Sequence, residues 1–600
     1  MHLIKKHQKK LLFFLLLLSF ALLSPPLFSS WKTYSTNKNF EKYTEELFLT
    51  EVSANALNLH YTLAHPEKTG ITEYSCSLGS FDPSQISSRT LLWENRKSQL
   101  EQFPSRLLSE ENQLTKDILW LTCDTELLSG NQYLLDEYLS PSLGTQAQLP
   151  ILLAEYTFRI EQDVQDYLKI LSSVDTYFES ILTFEQLKSK NGTFMSDVTV
   201  DRIAEQCSSF TANPEENYLD TVFHEKISRL SQLSASKKDA YQKLHTKILK
   251  SQVLPAYQSL IDGLYLLKGT GKNPGGLSGF DGGKEYYEYL LKSSCGLYES
   301  VSDIQTRLLS QLQTDMEECD TILKENPAFI YRITEQQSGT ETSETFPDSS
   351  DDSSAQSQIS PEKILHTLEK KILSDFPAPP DTSYEVKYVH KDLEAYLSPA
   401  FYLTPPVDTL NPNAIYINRF AALKGTELFT TLAHEGFPGH LYQTITFASK
   451  NPPSIRHLFN MSGYVEGWAT YTEPYAYSYI DQDPDLSRLE WLNRSLNLCI
   501  LSLLDTGIHY DGWNLEKASR FLSGFGITDL ATQQEIYQVL VEDPANYLKY
   551  YMGYLHFLDL REACKKEMGE EFDIKKFHKK ILEIGPCQFP VLEKYMKKEF

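Results

Sequence analysis

The heptapeptide HEGFPGH, His434 to His440, holds two histidines and a glutamate at a spacing that decides the fold around it. In the metal-binding signature HExxH the second histidine comes four residues after the first, which places both imidazoles on one face of a helix. Here it comes six residues after the first, and a continuous helix would turn it about 120° away. The two imidazoles can therefore face one metal ion only if the helix is interrupted between them.

The residues around the two histidines explain such an interruption. The preceding segment ELFTTLAHE ends at Glu435 and has the apolar pattern of a half-buried helix. Pro438 lacks the amide hydrogen that a helix needs, and Gly436 and Gly439 relax the backbone on either side. We expect the helix to kink, bulge or restart there, and a break that absorbs two residues returns the second histidine to the face of the first.

A catalytic zinc ion needs a third protein ligand and an open position for water. The segment GYVEGWATYTEPY supplies Glu466 on an expected helix. In peptidases with the His-Glu signature, a glutamate on a second helix about 20 to 30 residues downstream commonly completes the site. Glu473, near the same helical face, is expected to orient a histidine from behind the ligands, and it also competes with Glu466 for the ligand position.

Five motifs follow one another in this part of the chain: HEGFPGHLYQ, VEGWATYTE, LLDTGIHYDGW, PANYLKYYMG and FDIKKFHKKILEIG. In this order they resemble a bacterial family of predominantly helical, zinc-metallopeptidase-like proteins catalogued as a domain of unknown function, which is similar to the gluzincin peptidases. The likeness is strongest from Tyr384 to the C-terminus. One departure is Leu501, where the family often places an arginine, and leucine cannot make the ion pair or substrate contact of an arginine.

The resemblance implies that His434, His440 and Glu466 bind zinc, with Glu435 as the general base that takes a proton from water. The oxyanion formed by attack on a peptide carbonyl needs a hydrogen-bond donor. The candidate donors in or near these motifs are His509, Tyr550, Tyr551 and Tyr554. His509 and Tyr550 are the predicted ones because they lie within motifs that resemble the family.

The length and charge of the whole chain narrow the class of protein. Six hundred residues are too many for one small core, and a net charge of −24 argues against nucleic acid as a partner. Residues 1–30 hold four lysines ahead of the apolar run LLFFLLLLSFALLS, the layout of a secretory signal peptide, and an uncleaved membrane anchor stays open. We therefore expect an exported protein, secreted or anchored at the outer face of the cell membrane. The eight cysteines form no CxxC pair and are expected to be buried free thiols.

Patterns along the chain predict three parts after this leader. Helical periodicity covers 31–335, an N-terminal helical region, and 361–600, the zinc-binding catalytic region. Between them, 336–360 is almost wholly Ser, Thr, Asp, Glu and Gln and predicts a disordered acidic linker or loop. Strand character is confined to YEVKYVH (384–390) and AIYIN (414–418). The predicted fold is therefore mainly α, a large multi-helical metallopeptidase-like fold with a small β-sheet beside the active-site helix.

The predicted function is that of an exported zinc-dependent metallopeptidase that hydrolyses peptide bonds with water activated by Glu435. The strand AIYIN either holds an extended peptide at a sheet edge or forms a small structural hairpin. Two alternatives use the same residues: a surface or extracellular protein that binds peptides without turnover, and a zinc hydrolase of a non-peptide amide. The predicted partner is a peptide, and the oligomeric state is left open.

Overall fold

The structure, a computed structural model, describes most of the chain: residues 30–82, 84, 86–130, 132–330, 360–391, 394, 397–459 and 461–598. Nearly all of the predicted leader (1–30) and of the predicted linker (336–360) lies outside the described residues. Both therefore stay predictions.

The described residues fold mostly into helices, numbered here in chain order. The helices before the linker are α1 (30–53), α2 (Ala56–Thr62), α3 (Ile86–Glu101), α4 (Glu110–Leu128), α5 (Thr145–Glu155), α6 (Glu161–Ser172), α7 (Val174–Asn191), α8 (Asp197–Thr211), α9 (Tyr218–Arg229), α10 (Ala235–Ile248), α11 (Leu254–Leu267), α12 (Gly283–Ser293) and α13 (Val301–Glu325). Those after it are α14 (Pro361–Lys371), α15 (Gly425–Glu435), α16 (His440–Ala448), α17 (Ser462–Ser478), α18 (Pro484–His509), α19 (Leu515–Ser523), α20 (Leu530–Glu542), α21 (Asn546–Met568), α22 (Ile574–Ile584) and α23 (Phe589–Met596). The predicted mainly α fold is confirmed.

The small sheet has three strands within the described residues: β1 (Tyr384–Tyr388), β2 (Ala400–Leu403) and β3 (Asn413–Ile417). β3 lies in the centre, parallel to β1 and antiparallel to β2. The predicted strand AIYIN is β3, and all five residues of β3 are buried. Because both of its sides are already paired, β3 cannot hold a peptide by edge pairing, and the free edges belong to β1 and β2.

Capping residues set where several helices begin. Ser300 and Asp483 precede α13 and α18, and each side chain accepts a hydrogen bond from a backbone N–H of the first turn. Pro484 then occupies the first position of α18, where a helix has no use for the missing N–H. These local signals fix the start of α18, the longest helix after the linker.

The hydrophobic core crosses the predicted boundary between the two helical regions. The largest cluster of buried apolar residues runs from Leu114 to Met596 and includes parts of α12 and α13 together with α15, α17, α18 and α21. A second cluster fills the bundle formed by α5 to α11 and includes Ala414 and Tyr416 of β3. The predicted division at 336–360 is thus a division of the sequence, and the packing continues across it.

Helices α17 and α21 cross at glycine. A Cβ atom on Gly467 would lie 2.5 Å from the Cα atom of Gly553, and one on Gly553 would lie 2.3 Å from the carbonyl oxygen of Gly463. Only residues without a side chain allow backbones to approach so closely. Because Glu466 directly precedes Gly467, this crossing places α21 beside the predicted third ligand.

None of the helices in the described ranges is both long and apolar enough to cross a membrane. All eight cysteines are free thiols, six of them buried, with Cys76 and Cys319 half-buried.

Candidate metal centre

The helix is interrupted where the sequence predicts a break. Helix α15 ends at Glu435, and α16 begins at His440. The backbone N–H of Gly439 donates to the carbonyl oxygen of Ala433 at 3.0 Å. A Cβ atom on Gly439 would lie 1.8 Å from the carbonyl oxygen of His434, so glycine is a steric requirement of this break.

The break turns the two imidazoles toward each other and toward Glu466 on α17. The ring centroids of His434 and His440 lie 4.8 Å apart, with the ring planes at 89°. Oε2 of Glu466 lies 3.6 Å from Nε2 of His434 and 3.3 Å from Nε2 of His440. One ligand atom from each residue lies within 4.8 Å of the other two. Atoms spaced in this way can share one metal ion, and two imidazoles with a carboxylate are a donor set of catalytic zinc sites.

Glu473 holds the first histidine from the opposite side. Its Oε1 atom lies 2.9 Å from Nδ1 of His434, and its Oε2 atom accepts a hydrogen bond from Nε of Arg494 at 3.2 Å. His434, His440 and Glu466 are called the cluster from here on. When Nδ1 of His434 donates to Glu473, the lone pair of Nε2 points toward the other two residues of the cluster. In this arrangement Glu466 faces the two imidazoles as the third possible ligand, and Glu473 orients His434 from behind.

Negative charge concentrates around the imidazoles. Burial alone would lower the pKa of His434, but hydrogen bonds to Glu466 and Glu473 outweigh it and raise that pKa to about 10. Burial alone would raise the pKa of Glu473, but Arg494 and His434 outweigh it and lower that pKa to about 2. With Glu435, three carboxylates and one guanidinium surround the two imidazoles. A divalent cation would balance this excess of negative charge.

Glu435 reaches from the end of α15 to the sheet. Its Oε2 atom accepts a hydrogen bond from the backbone N–H of Tyr402 at 2.8 Å. The N–H of Asn418, just after β3, donates to the carbonyl of Pro399, just before β2. In an antiparallel pair with this register, every second residue of β2 hydrogen-bonds to β3. Tyr402 is one of the residues in between, so its N–H points away from β3. Oε1 of Glu435 makes no hydrogen bond within the described part of the chain. Burial raises the pKa of Glu435 above its usual value, which suits a carboxylate that must accept a proton.

Tyr550 on α21 is the predicted oxyanion donor that the fold brings to the cluster. Its ring centroid lies 6.5 Å from that of His434. Burial and the charges of Glu466 and Glu435 raise the pKa of its hydroxyl well above the usual value. The hydroxyl therefore stays protonated near neutral pH and keeps a hydrogen to donate.

His509 has a structural role in place of the predicted catalytic one. Its fully buried ring accepts a hydrogen bond from the N–H of Leu277 at Nδ1, at 3.1 Å, and its Nε2 atom lies 2.7 Å from the carbonyl oxygen of Leu540. Burial lowers the pKa of His509 to about 4, so the ring is neutral and donates from Nε2. Both nitrogens are occupied by backbone groups, and neither is left for an oxyanion.

The other residues singled out from the sequence are engaged elsewhere. The hydroxyl of Tyr551 lies 2.9 Å from that of Ser495, and the ring of Tyr554 packs against Trp491 with centroids 5.3 Å apart. Leu501 packs against the main hydrophobic core. Tyr550 is thus the candidate donor that the geometry retains.

Two groups of the site were missed in the sequence. Tyr402 contributes only its backbone N–H, so its side chain gives no signal. Arg494 lies 21 residues after Glu473, its partner, and belongs to no motif. The same helix holds a second arginine, Arg488, so no local signal in the sequence singles out Arg494.

These features define a mainly helical protein with a site of two histidines and one glutamate at a broken helix. Residues 67–596 match the family described as "Bacterial protein of unknown function (DUF885)", and the chain belongs to this family. Among curated proteins, none matches the chain.

Two solved structures are similar in fold. A "putative lipoprotein" from Colwellia psychrerythraea aligns with a TM-score of 0.77 at 20% identity, over 95% of this chain and 99% of that one. A "putative lipoprotein of unknown function" from Shewanella oneidensis aligns with a TM-score of 0.62 at 14% identity, over 93% of this chain and 99% of that one. At such low identity the likeness shows the fold alone.

Proposed function

We propose that this protein is an exported zinc-dependent metallopeptidase that hydrolyses peptide bonds at the cluster of His434, His440 and Glu466. The observation that carries the proposal is the convergence of one ligand atom from each of these residues within 4.8 Å. Structural zinc sites usually close with four protein ligands, whereas the cluster among the described residues has three. A three-ligand site leaves a position for water, which is the arrangement that hydrolysis needs.

The residues around the cluster supply the remaining steps of hydrolysis. When bound, zinc supplies Lewis-acid chemistry, because it lowers the pKa of water and polarises a carbonyl group. Glu435 is held at Oε2 by Tyr402 and can accept the proton of the attacking water at Oε1. The hydroxyl of Tyr550 donates a hydrogen bond to the developing oxyanion. Glu435 then passes its proton to the leaving amine and returns to its charged form.

The sheet edge next to the cluster supports a peptide as the substrate. Strand β2 is an edge strand beside Glu435, and since Glu435 already accepts the outward N–H of Tyr402, a peptide would pair with the remaining outward backbone groups of β2. An extended peptide can add to such an edge through backbone hydrogen bonds. The net charge of −24 favours a peptide over nucleic acid as the partner.

The proposed location outside the cytoplasm rests on the N-terminal sequence and on the neighbours. Residues 1–30 have the layout of a secretory signal peptide or anchor, and the two solved structures carry the description of lipoproteins. We propose that the protein is secreted or held at the outer face of the cell membrane.

Metal analysis and digestion of a peptide library test this function. We expect one zinc ion per chain and cleavage that a chelator stops and added zinc restores. Glu435→Gln should lower hydrolysis by at least about 100-fold because it removes the proton acceptor, with zinc content unchanged. Glu427→Gln is the matched control, since this exposed glutamate lies on the same helix.

The outcomes separate the site from the activity. Protein that never holds stoichiometric metal would exclude the zinc site. Zinc-loaded protein that binds peptides but cleaves none would exclude peptidase activity and favour a binding protein. Cleavage of non-peptide amides alone would identify those amides as the substrate class instead of peptides.

A further inference from the structure

Arg494 uses only part of its guanidinium to hold Glu473. Its Nε–H donates to Glu473, while its two terminal amino groups make no hydrogen bond within the described residues. Tyr477 and Tyr550 lie near the guanidinium, and 45% of the side-chain surface is open to solvent. The guanidinium can therefore be reached by a ligand from solvent.

A second cation lies on the neighbouring helix. The ammonium group of Lys549 lies 5.2 Å from the ring centroid of Tyr550 and pairs with no carboxylate of the described chain. The protein holds 80 acidic and 56 basic residues, so carboxylates are in excess. Arg494 has donors that no described group takes, and Lys549 has no carboxylate partner in the described chain, so both can bind an anion that comes from outside the protein.

We propose that Arg494, with Lys549 in support, binds a carboxylate of the substrate. The inference rests on the proposed peptidase function and names its substrate class, peptides with a carboxylate close to the scissile bond. The planar guanidinium can present two parallel N–H groups to a carboxylate.

The distance to the cluster limits where that carboxylate lies in the peptide. Arg494 contacts Glu473, which contacts His434, so only one carboxylate and one imidazole separate the guanidinium from the proposed metal position. One or two extended residues, each about 3.5 Å long, can bridge such a gap. The carboxylate is therefore either the C-terminus of a short leaving segment or an Asp or Glu side chain next to the scissile bond.

Matched peptides distinguish the two sources of the carboxylate. One pair differs only in a free or amidated C-terminus, and a second, amidated pair differs only in Glu or Gln beside the scissile bond. We expect about ten-fold or greater preference for the charged member of one pair, in kcat/KM with the zinc-loaded protein and in the Kd of its Glu435→Gln variant. Preference in the first pair identifies a C-terminal carboxylate, and preference in the second identifies a side chain. Equal values in both pairs would overturn the proposal.

Variants assign the preference to these cations. Arg494→Gln should bring the ratio between charged and neutral peptides toward one, and Arg494→Lys should keep part of it. Lys549→Met should lower the ratio while zinc content stays constant, because Lys549 does not contact Glu473. Arg488→Gln is the control, since Arg488 lies on the same helix and pairs with Glu318 at 2.6 Å.

The ratio also separates substrate binding from a purely positioning role. If Arg494 only positions Glu473, Arg494→Gln lowers zinc content or the cleavage of all peptides alike and leaves the ratio unchanged, which overturns the proposal. If the wild-type protein cleaves no peptide, the proposed function fails, while a carboxylate preference in the Kd values would still support this inference.

Discussion

Replacing Glu473 with alanine removes the group that holds the first histidine of the cluster. Its side chain is only 6% exposed, with Oε1 2.9 Å from Nδ1 of His434 and Oε2 3.2 Å from Nε of Arg494. Carboxylates in such positions behind metal ligands contribute about 10- to 100-fold to metal affinity. Because Glu473 is buried and makes two charge-assisted contacts, we expect a loss near the upper end, about 2.5 kcal/mol of zinc-binding free energy.

Competition of the metal-free protein with a chromogenic chelator for zinc measures this loss. Glu473→Gln should lose less affinity than Glu473→Ala, because its amide oxygen can still accept the hydrogen of Nδ1. Glu318→Gln is the matched control, since it breaks the pair between Glu318 on α13 and Arg488 on α18, a glutamate–arginine pair that does not involve the cluster. A Glu473→Ala protein that binds zinc within about three-fold of wild type would refute the view that His434 depends on this carboxylate.

Two further predictions concern folding around the site. Gly439→Ala should lower the free energy of unfolding by about 3 kcal/mol and weaken zinc binding, because the new Cβ atom would lie 1.8 Å from the carbonyl oxygen of His434. Gly275→Ala, whose nearest contact would be a side-chain oxygen at 3.3 Å, should change both far less, and equal effects would contradict the steric explanation. Burial lowers the pKa of His509 to about 4 in the folded protein, whereas its pKa in the unfolded chain is near 6.5. Below about pH 6.5 the unfolded chain therefore binds a proton more readily than the folded protein, which destabilises the fold. Denaturant titrations should show stability falling below about pH 6.5, and His509 should account for about 2 kcal/mol of the fall at pH 5; His457 and His578, whose pKa values burial also lowers, add to it. His509→Gln should flatten this dependence, and an unchanged slope would exclude His509 as its source.

The helix break and the ligand residues of the site were predictable because they depend on residues that are close together in the sequence. Pro438 and Gly439 act on the backbone within one helical turn, so the break between the histidines follows from the sequence. Glu466 was predicted from its interval to the first histidine and its expected helix. The ordered motifs added Tyr550, which the structure places near the cluster.

The same reasoning failed where a role depends on distant partners. His509 lies in one of the motifs, but its partners are backbone groups of Leu277 and Leu540, 232 and 31 residues away. Strand β3 has the pattern of a possible edge, but β1 and β2 cover both of its sides. Neither the partners of His509 nor the pairing of β3 can be read from the sequence around them.

The sequence by itself determined the mainly helical fold, the broken helix and the identity of the residues that can bind a metal. These properties depend on backbone preferences and on spacing within a few turns, which act locally. Only the tertiary structure decided that Glu473 orients His434 and that Tyr402 holds Glu435. It also decided that Arg494 lies at the site with N–H groups that no described residue accepts. Those roles depend on how helices and a strand far apart in the chain pack against one another, and that packing is set by the core as a whole.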